Sequence, residues 1–79
     1  MRILFFAQTQ DAVETSELEM KISGNIGIEE FWDKLVAAKP KLVAFRKNTR
    51  LARNGEYADA KTKFTDADEV ALIPPVSGG

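Results

Sequence analysis

From Ile28 onward the apolar residues fall at Ile28, Phe31, Trp32, Leu35 and Val36. That spacing lays one continuous stripe along a helix. Gly27 stands where a modest N-cap belongs, and Glu29 and Glu30 occupy the first turn, where the macrodipole favours acids. Pro40 predicts that the helix stops at about Lys39. Phe31 and Trp32 lie on the stripe and are read as core, not as a ligand platform. Elsewhere the period shortens. Arg2 to Ala7 is dense in β formers and apolar at both parities, which predicts a strand with Ile3, Phe5 and Ala7 on one face and Leu4 and Phe6 on the other. Leu18 to Ile22 alternates strictly, as a half-exposed strand does. The polar stretch Gln8 to Ser16 between them predicts an antiparallel hairpin with a long loop, and Ser23-Gly24-Asn25 ends the second strand.

Leu42, Val43 and Phe45 predict a short turn covering the base of the sheet. Asn54-Gly55 separates Arg50–Arg53 from Glu56–Ala58 and suits a two-residue type I′ turn, whose central residues both need positive φ. Lys61 to Asp68 is a polar connection with Phe64 as a plug. The run Val70-Ala71-Leu72-Ile73 closes a last strand, Glu69 to Ile73, apolar enough for a central position. The order is β-β-α-β-β-β: an α+β fold in which a mixed sheet of four to five strands packs on one main helix. If the first and last strands lie side by side in parallel, this is the β-grasp, or ubiquitin-like, architecture.

Seventy-nine residues make one domain, spanning 1–79, and a chain of this size buries only ~60–65% of its unfolded surface. No apolar run approaches the ~20 residues of a membrane span, and Arg2 leads straight into Ile3-Leu4-Phe5-Phe6 without signal-peptide architecture. With no cysteine there are neither disulfides nor thiolates, and the cytoplasm is the expected location. Eleven basic and twelve acidic residues leave a net charge of −1, whereas nucleic-acid binders carry a basic excess. Nucleic acid and membrane are therefore not expected partners. The charge is uneven: Lys39, Lys41, Arg46, Lys47, Arg50 and Arg53 form a run without an acid. It reads either as a solvated rim or as a strip that steers an acidic protein.

The absence of histidine and cysteine also removes the commonest nucleophilic pairs and metal ligands. There is no phosphate-binding glycine motif, so no cofactor or metal is expected in this chain. Autonomous catalysis is not expected, but a chain without catalytic groups can still be a substrate or a carrier.

The end of the sequence has the form of a carrier. After the apolar strand come Pro74 and Pro75, which cannot extend a ladder as donors, then Val76, Ser77, Gly78 and Gly79. This tail, 76–79, reads as flexible and can extend roughly 13 Å at ~3.3 Å per residue. Glycine lacks a Cβ, so Gly78 and Gly79 suit a narrow channel. Parity adds a surface to the tail. If Ile3, Phe5, Val70 and Leu72 face the helix, then Phe6 and Ile73 face away from it, as an apolar patch beside the tail's root. Such a patch marks an interface unless loop residues cover it.

Leu4-Phe5-Phe6-Ala7-Gln8 at the start and Asp68-Glu69-Val70-Ala71-Leu72-Ile73-Pro74-Pro75-Val76-Ser77-Gly78-Gly79 at the end resemble the molybdopterin synthase small-subunit family, over essentially the whole chain. One departure is local: the family opens its helix with a Thr or Ser cap before Val, where Gly27-Ile28 stands here. The resemblance implies a ubiquitin-like sulfur carrier of molybdenum cofactor biosynthesis. It implies that a ubiquitin-activating-type adenylyltransferase uses ATP to adenylate Gly79. Sulfur then displaces AMP to leave a thiocarboxylate. Pro74, Pro75, Val76, Ser77 and Gly78 would enter the large subunit, which would carry the catalytic groups in a heterotetramer of two small and two large subunits. A terminal carboxylate, with a pKa near ~3.5, is ionised and a poor electrophile at neutral pH, hence the activation. Two relatives in fold stay open as alternatives, a thiamine-type sulfur carrier and a ubiquitin-like protein modifier, as does a plain β-grasp interaction module that ignores its terminus.

Overall fold

Alternation in the sequence becomes pairing in space. The computed structural model describes residues 1–75. The elements are β1 (Arg2–Phe5), α1 (Ala7–Val13), β2 (Glu17–Glu19), α2 (Ile28–Ala38), a 3-10 turn (Pro40–Phe45), β3 (Arg50–Arg53), β4 (Glu56–Tyr57) and β5 (Glu69–Ile73). The five strands form one sheet in the order β2-β1-β5-β3-β4. β1 and β5 pair in parallel, Ile3 against Val70 and Phe5 against Leu72; the other pairings are antiparallel. This is the β-grasp arrangement, with the last strand in the centre.

The helix-facing side of the sheet is a closed core. Ile3, Phe5, Val70, Leu72, Phe31 and Leu35 are buried almost completely. The stripe on α2 supplies Phe31, Trp32 and Leu35, as its spacing predicts. Full burial of side chains of this size is worth roughly 1.5–3 kcal/mol each. Phe64 is the plug: it bridges Ile26 through two backbone bonds of 2.8 and 3.0 Å, and its ring lies 5.2 Å from that of Phe31. Gly27 caps α2 without a side-chain bond. The hairpin turn has φ of 51° at Asn54 and 89° at Gly55, the double positive φ that Asn-Gly supplies.

Four expectations need correction. The stretch after β1 is not a plain loop: residues Ala7–Val13 form α1, because Thr9 turns its hydroxyl back on the backbone of Phe6 and Val13, one turn later, packs against the core. β1 therefore ends at Phe5, and Ala7 leaves the strand's inner face. β2 is Glu17–Glu19 and does not reach Ile22. Met20 still exchanges two bonds with Met1, but the amide of Ile22 turns to the Asp66 carboxylate at 2.9 Å. In the 3-10 turn Leu42 is buried and Phe45 half-buried, whereas Val43 points into solvent.

Two aspartates staple the segment that leads into β5. The Ile22 amide, and after it the N-terminal ammonium at 3.1 Å, hold the Asp66 carboxyl below the usual carboxylate range. At Asp68 partial burial works the other way. The Thr65 amide, the Asn54 side chain and nearby Arg53 outweigh it, and the pKa is lowered here too.

Candidate functional site

The sheet has a second side, which no helix covers. Directly paired residues share a face, so the register sorts that outer side into three rows. Farthest from the end of β5 are Glu19, Arg2 and Glu69; Arg2 pairs with Glu69 at 3.5 Å and with Glu17 of the next row at 2.9 Å. The middle row crosses all five strands: Glu17, Leu4, Ala71, Ala52 and Tyr57. Nearest the end of β5 are Ile73 and its partner Arg50. Phe6 stands one residue beyond the Phe5–Leu72 pair. Along β5 the face thus passes from ion-paired charge to Ile73 and Phe6 with Arg50 beside Ile73, and that end lies where the tail begins.

Local chemistry sets Phe6 outward. It is the N-cap of α1 and not, as parity alone predicts, a residue of β1. Its amide donates to Thr9 Oγ1 at 3.1 Å, and the same hydroxyl donates back to the Phe6 carbonyl at 2.7 Å. Ala7 follows with φ 51°, a left-handed conformation that costs an L-residue roughly 1–2 kcal/mol. Thr9 is fully buried, while the Phe6 ring is 48% exposed. The turn therefore fixes an aromatic in solvent, against the local preferences of both the side chain and the backbone. That is the usual sign of a surface kept for a partner.

Ile73, expected beside Phe6, is half-buried. Pro74, expected in the inserted tail, is buried in the domain, and the exposed path begins at Pro75. Val76, Ser77, Gly78 and Gly79 lie outside the described residues. Among the described residues no group of three or more His, Cys, Asp or Glu could hold a metal ion, and no helix is long and apolar enough to cross a membrane.

Sequence reasoning missed the trough on this face. Ala52 and Ala71 form a low floor, with Leu4 on one flank and Tyr57 on the other. The Arg50 guanidinium lies 4.1 Å above the Tyr57 ring. The Asn-Gly turn carried the signal, since a two-residue loop pairs Ala52 with Tyr57 and makes Arg50 the diagonal neighbour. The basic run also divides. Arg46 is spent on Asp33 and Glu29, and Arg53 donates to the Lys63 carbonyl.

The ThiS family profile matches residues 3–79. The chain is 32% identical over 81 residues to the molybdopterin synthase sulfur carrier subunit of Chlamydomonas reinhardtii, covering 100% of this chain and 98% of that one. In structure it is similar to SAMP1 from Haloferax volcanii, with a TM-score of 0.84 and 28% identity over 99% of this chain and 97% of that one. It also shares the fold of a Helicobacter pylori chain solved as a complex of subunits 1 and 2 of molybdopterin-converting factor, with a TM-score of 0.68 and 23% identity over 99% of this chain and 96% of the other.

Proposed function

The chain belongs to the ThiS family, and on that premise we propose that it is the sulfur carrier subunit of a molybdopterin synthase, working in the cytoplasm. Its full-length similarity to a relative of that name favours this over a thiamine-type carrier. The observation that carries the reading in this molecule is the outer face, which runs from ion-paired charge to Phe6 and Ile73 and ends at the root of the tail. A large subunit that docks there receives the tail.

The chemistry follows from a terminal carboxylate. An oxygen of Gly79 attacks the α-phosphate of ATP on an adenylyltransferase and pyrophosphate leaves. Sulfur at the oxidation level of sulfide, as HS⁻, then attacks the acyl carbon and AMP leaves, giving a thiocarboxylate. The large subunit takes the tail, the thiocarboxylate sulfur bonds to a carbon of a cyclic pterin precursor, and water cleaves the acyl–sulfur bond, leaving the sulfur on the pterin and restoring the carboxylate. This chain supplies the acyl group, a slim approach through Gly78, and the docking face. Nucleotide and pterin sites belong to the partners.

Removal of Gly79, or addition of a residue after it, tests the reading. Sulfur transfer should be abolished with the thermal melt unchanged, and near-normal transfer by the truncated chain would overturn it. Gly78→Val should likewise depress turnover without loss of stability, because a β-branched side chain widens the approach and restricts φ.

A second reading is favoured by the likeness to SAMP1, a small archaeal modifier protein. The activated Gly79 would then also be passed to a lysine amine, with AMP or a thiol as leaving group and an isopeptide bond as product.

A further inference from the structure

The four arginines of this chain do not have the same occupation. Arg2 is paired with Glu17 and Glu69, Arg46 with Glu29 and Asp33, and Arg53 donates to a backbone carbonyl. Arg50 is exposed and donates to no acceptor among the described residues. It is nonetheless placed: its guanidinium carbon lies 4.1 Å over the ring of Tyr57, itself 59% exposed, a distance that suits stacking. Its strand partner is Ile73, at the tail's root. A stacked guanidinium keeps its face on the ring and its N–H edge free, which is the geometry that grips a carboxylate with two parallel bonds. Stacking also removes part of the rotamer freedom that an arginine gives up on binding.

We propose that Arg50, held by Tyr57, is the charge-reading element of the docking face, and that the partner covering this face sets an Asp or Glu carboxylate against it beside an apolar side chain seated over Ala52 and Ala71. The inference rests on the carrier reading and names the chemistry its partner must present. A protein carboxylate fits better than a nucleotide phosphate. A nucleotide joined to Gly79 stands at the far end of a segment that can extend roughly 20 Å from Ile73, whereas a protein covering the root of the tail meets Arg50 directly. The local composition agrees. The acids of this face all lie away from Arg50, Glu19 and Glu69 at its other end and Glu17 on the far edge strand, where it reaches Arg2, so an acidic partner group is attracted at Arg50 and repelled there. That asymmetry fixes the direction of docking as well as its strength.

The test is a binding titration of the purified full-length chain against its large subunit at low and high salt, with melts as the control for folding. Arg50→Glu should weaken association by about tenfold or more and reduce its dependence on salt. Arg50→Lys, which keeps the charge but loses the fork, should recover only part of the loss. Tyr57→Leu should weaken binding by about threefold, because the guanidinium is no longer held. All three should melt like the unmodified chain. If the unmodified chain binds and Arg50→Glu binds equally well, the inference falls while the carrier reading stands. If the unmodified chain does not bind the large subunit at all, both fall together.

Discussion

β1 and β5 present two faces made by neighbouring residues, and the faces have opposite fates. Ile3, Phe5, Val70 and Leu72 are sealed under α2. Leu4, Phe6, Ala71 and Ile73, one residue away in each case, are exposed or half-buried. Both sets are apolar, so hydrophobicity alone does not separate them. The difference is cover. The inner set has a helix whose stripe matches it, whereas the outer set has only the turn at Phe6, which holds its aromatic open. An apolar face that the chain leaves bare contributes little to its own stability, and association is the role proposed for it.

The sharpest way to break that comparison is to place one charge on each face. Phe5→Arg should unfold the domain, since a charge would enter a closed core; even Phe5→Ala should cost about 3–5 kcal/mol. Phe6→Arg should melt close to the parent and lose large-subunit affinity, by ~2 kcal/mol or more for an interface aromatic. Thermal melts and one titration on both variants decide the matter. If Phe6→Arg unfolded while Phe5→Arg stayed folded and bound, the faces would be reversed.

A smaller effect belongs to the turn between the faces. Thr9→Val keeps the buried shape but removes the acceptor for the Phe6 amide and the bond to its carbonyl. Stability should fall by roughly 1–2 kcal/mol, and affinity should fall with it, because Phe6 is no longer fixed. Unchanged affinity in this variant would show that the turn serves folding alone.

Acid should act on neither face but on the segment that leads into β5. Asp66 and Asp68 ionise more readily folded than unfolded. Their stabilisation is complete above the ordinary Asp pKa of ~3.9 and is lost as pH falls through the lower folded values. Urea midpoints should therefore drop on acidification below about pH 4. Asp66→Asn should be less stable at neutral pH and should show a flatter profile. The smallest effect concerns the helix that closes the core. Gly27→Ser has room, since a Cβ there meets only Lys63 Nζ at 3.5 Å. It should raise stability by a few tenths of a kcal/mol, the usual gap between a glycine and a serine cap.

Much of this was legible in the sequence, for physical reasons. Period and parity state which residues share a face, and these revealed α2, the inner core, the Asn-Gly turn and the outward Phe6. α1 was not legible. Its seven residues are too few to be stable alone and carry no amphipathic stripe; they depend on Thr9 bonding back to Phe6, a contact that polar composition conceals. In the sequence Pro74 reads as tail because prolines end ladders, yet a proline can end a ladder and still be buried. Arg50 stands there within a basic run. Only the cross-strand register distinguishes an arginine stacked on tyrosine from one already paired with acids.

The carrier account is tested most directly by the intact mass of the chain after incubation with its adenylyltransferase, ATP and a sulfur donor. The account predicts the exchange of one oxygen for one sulfur, located by fragmentation at Gly79, and reversal of that exchange when the large subunit and the pterin precursor are added. A mass that never changes would contradict it. A ladder of lysine conjugates without any thiocarboxylate would contradict it as well, and would leave the modifier as the function of this tail.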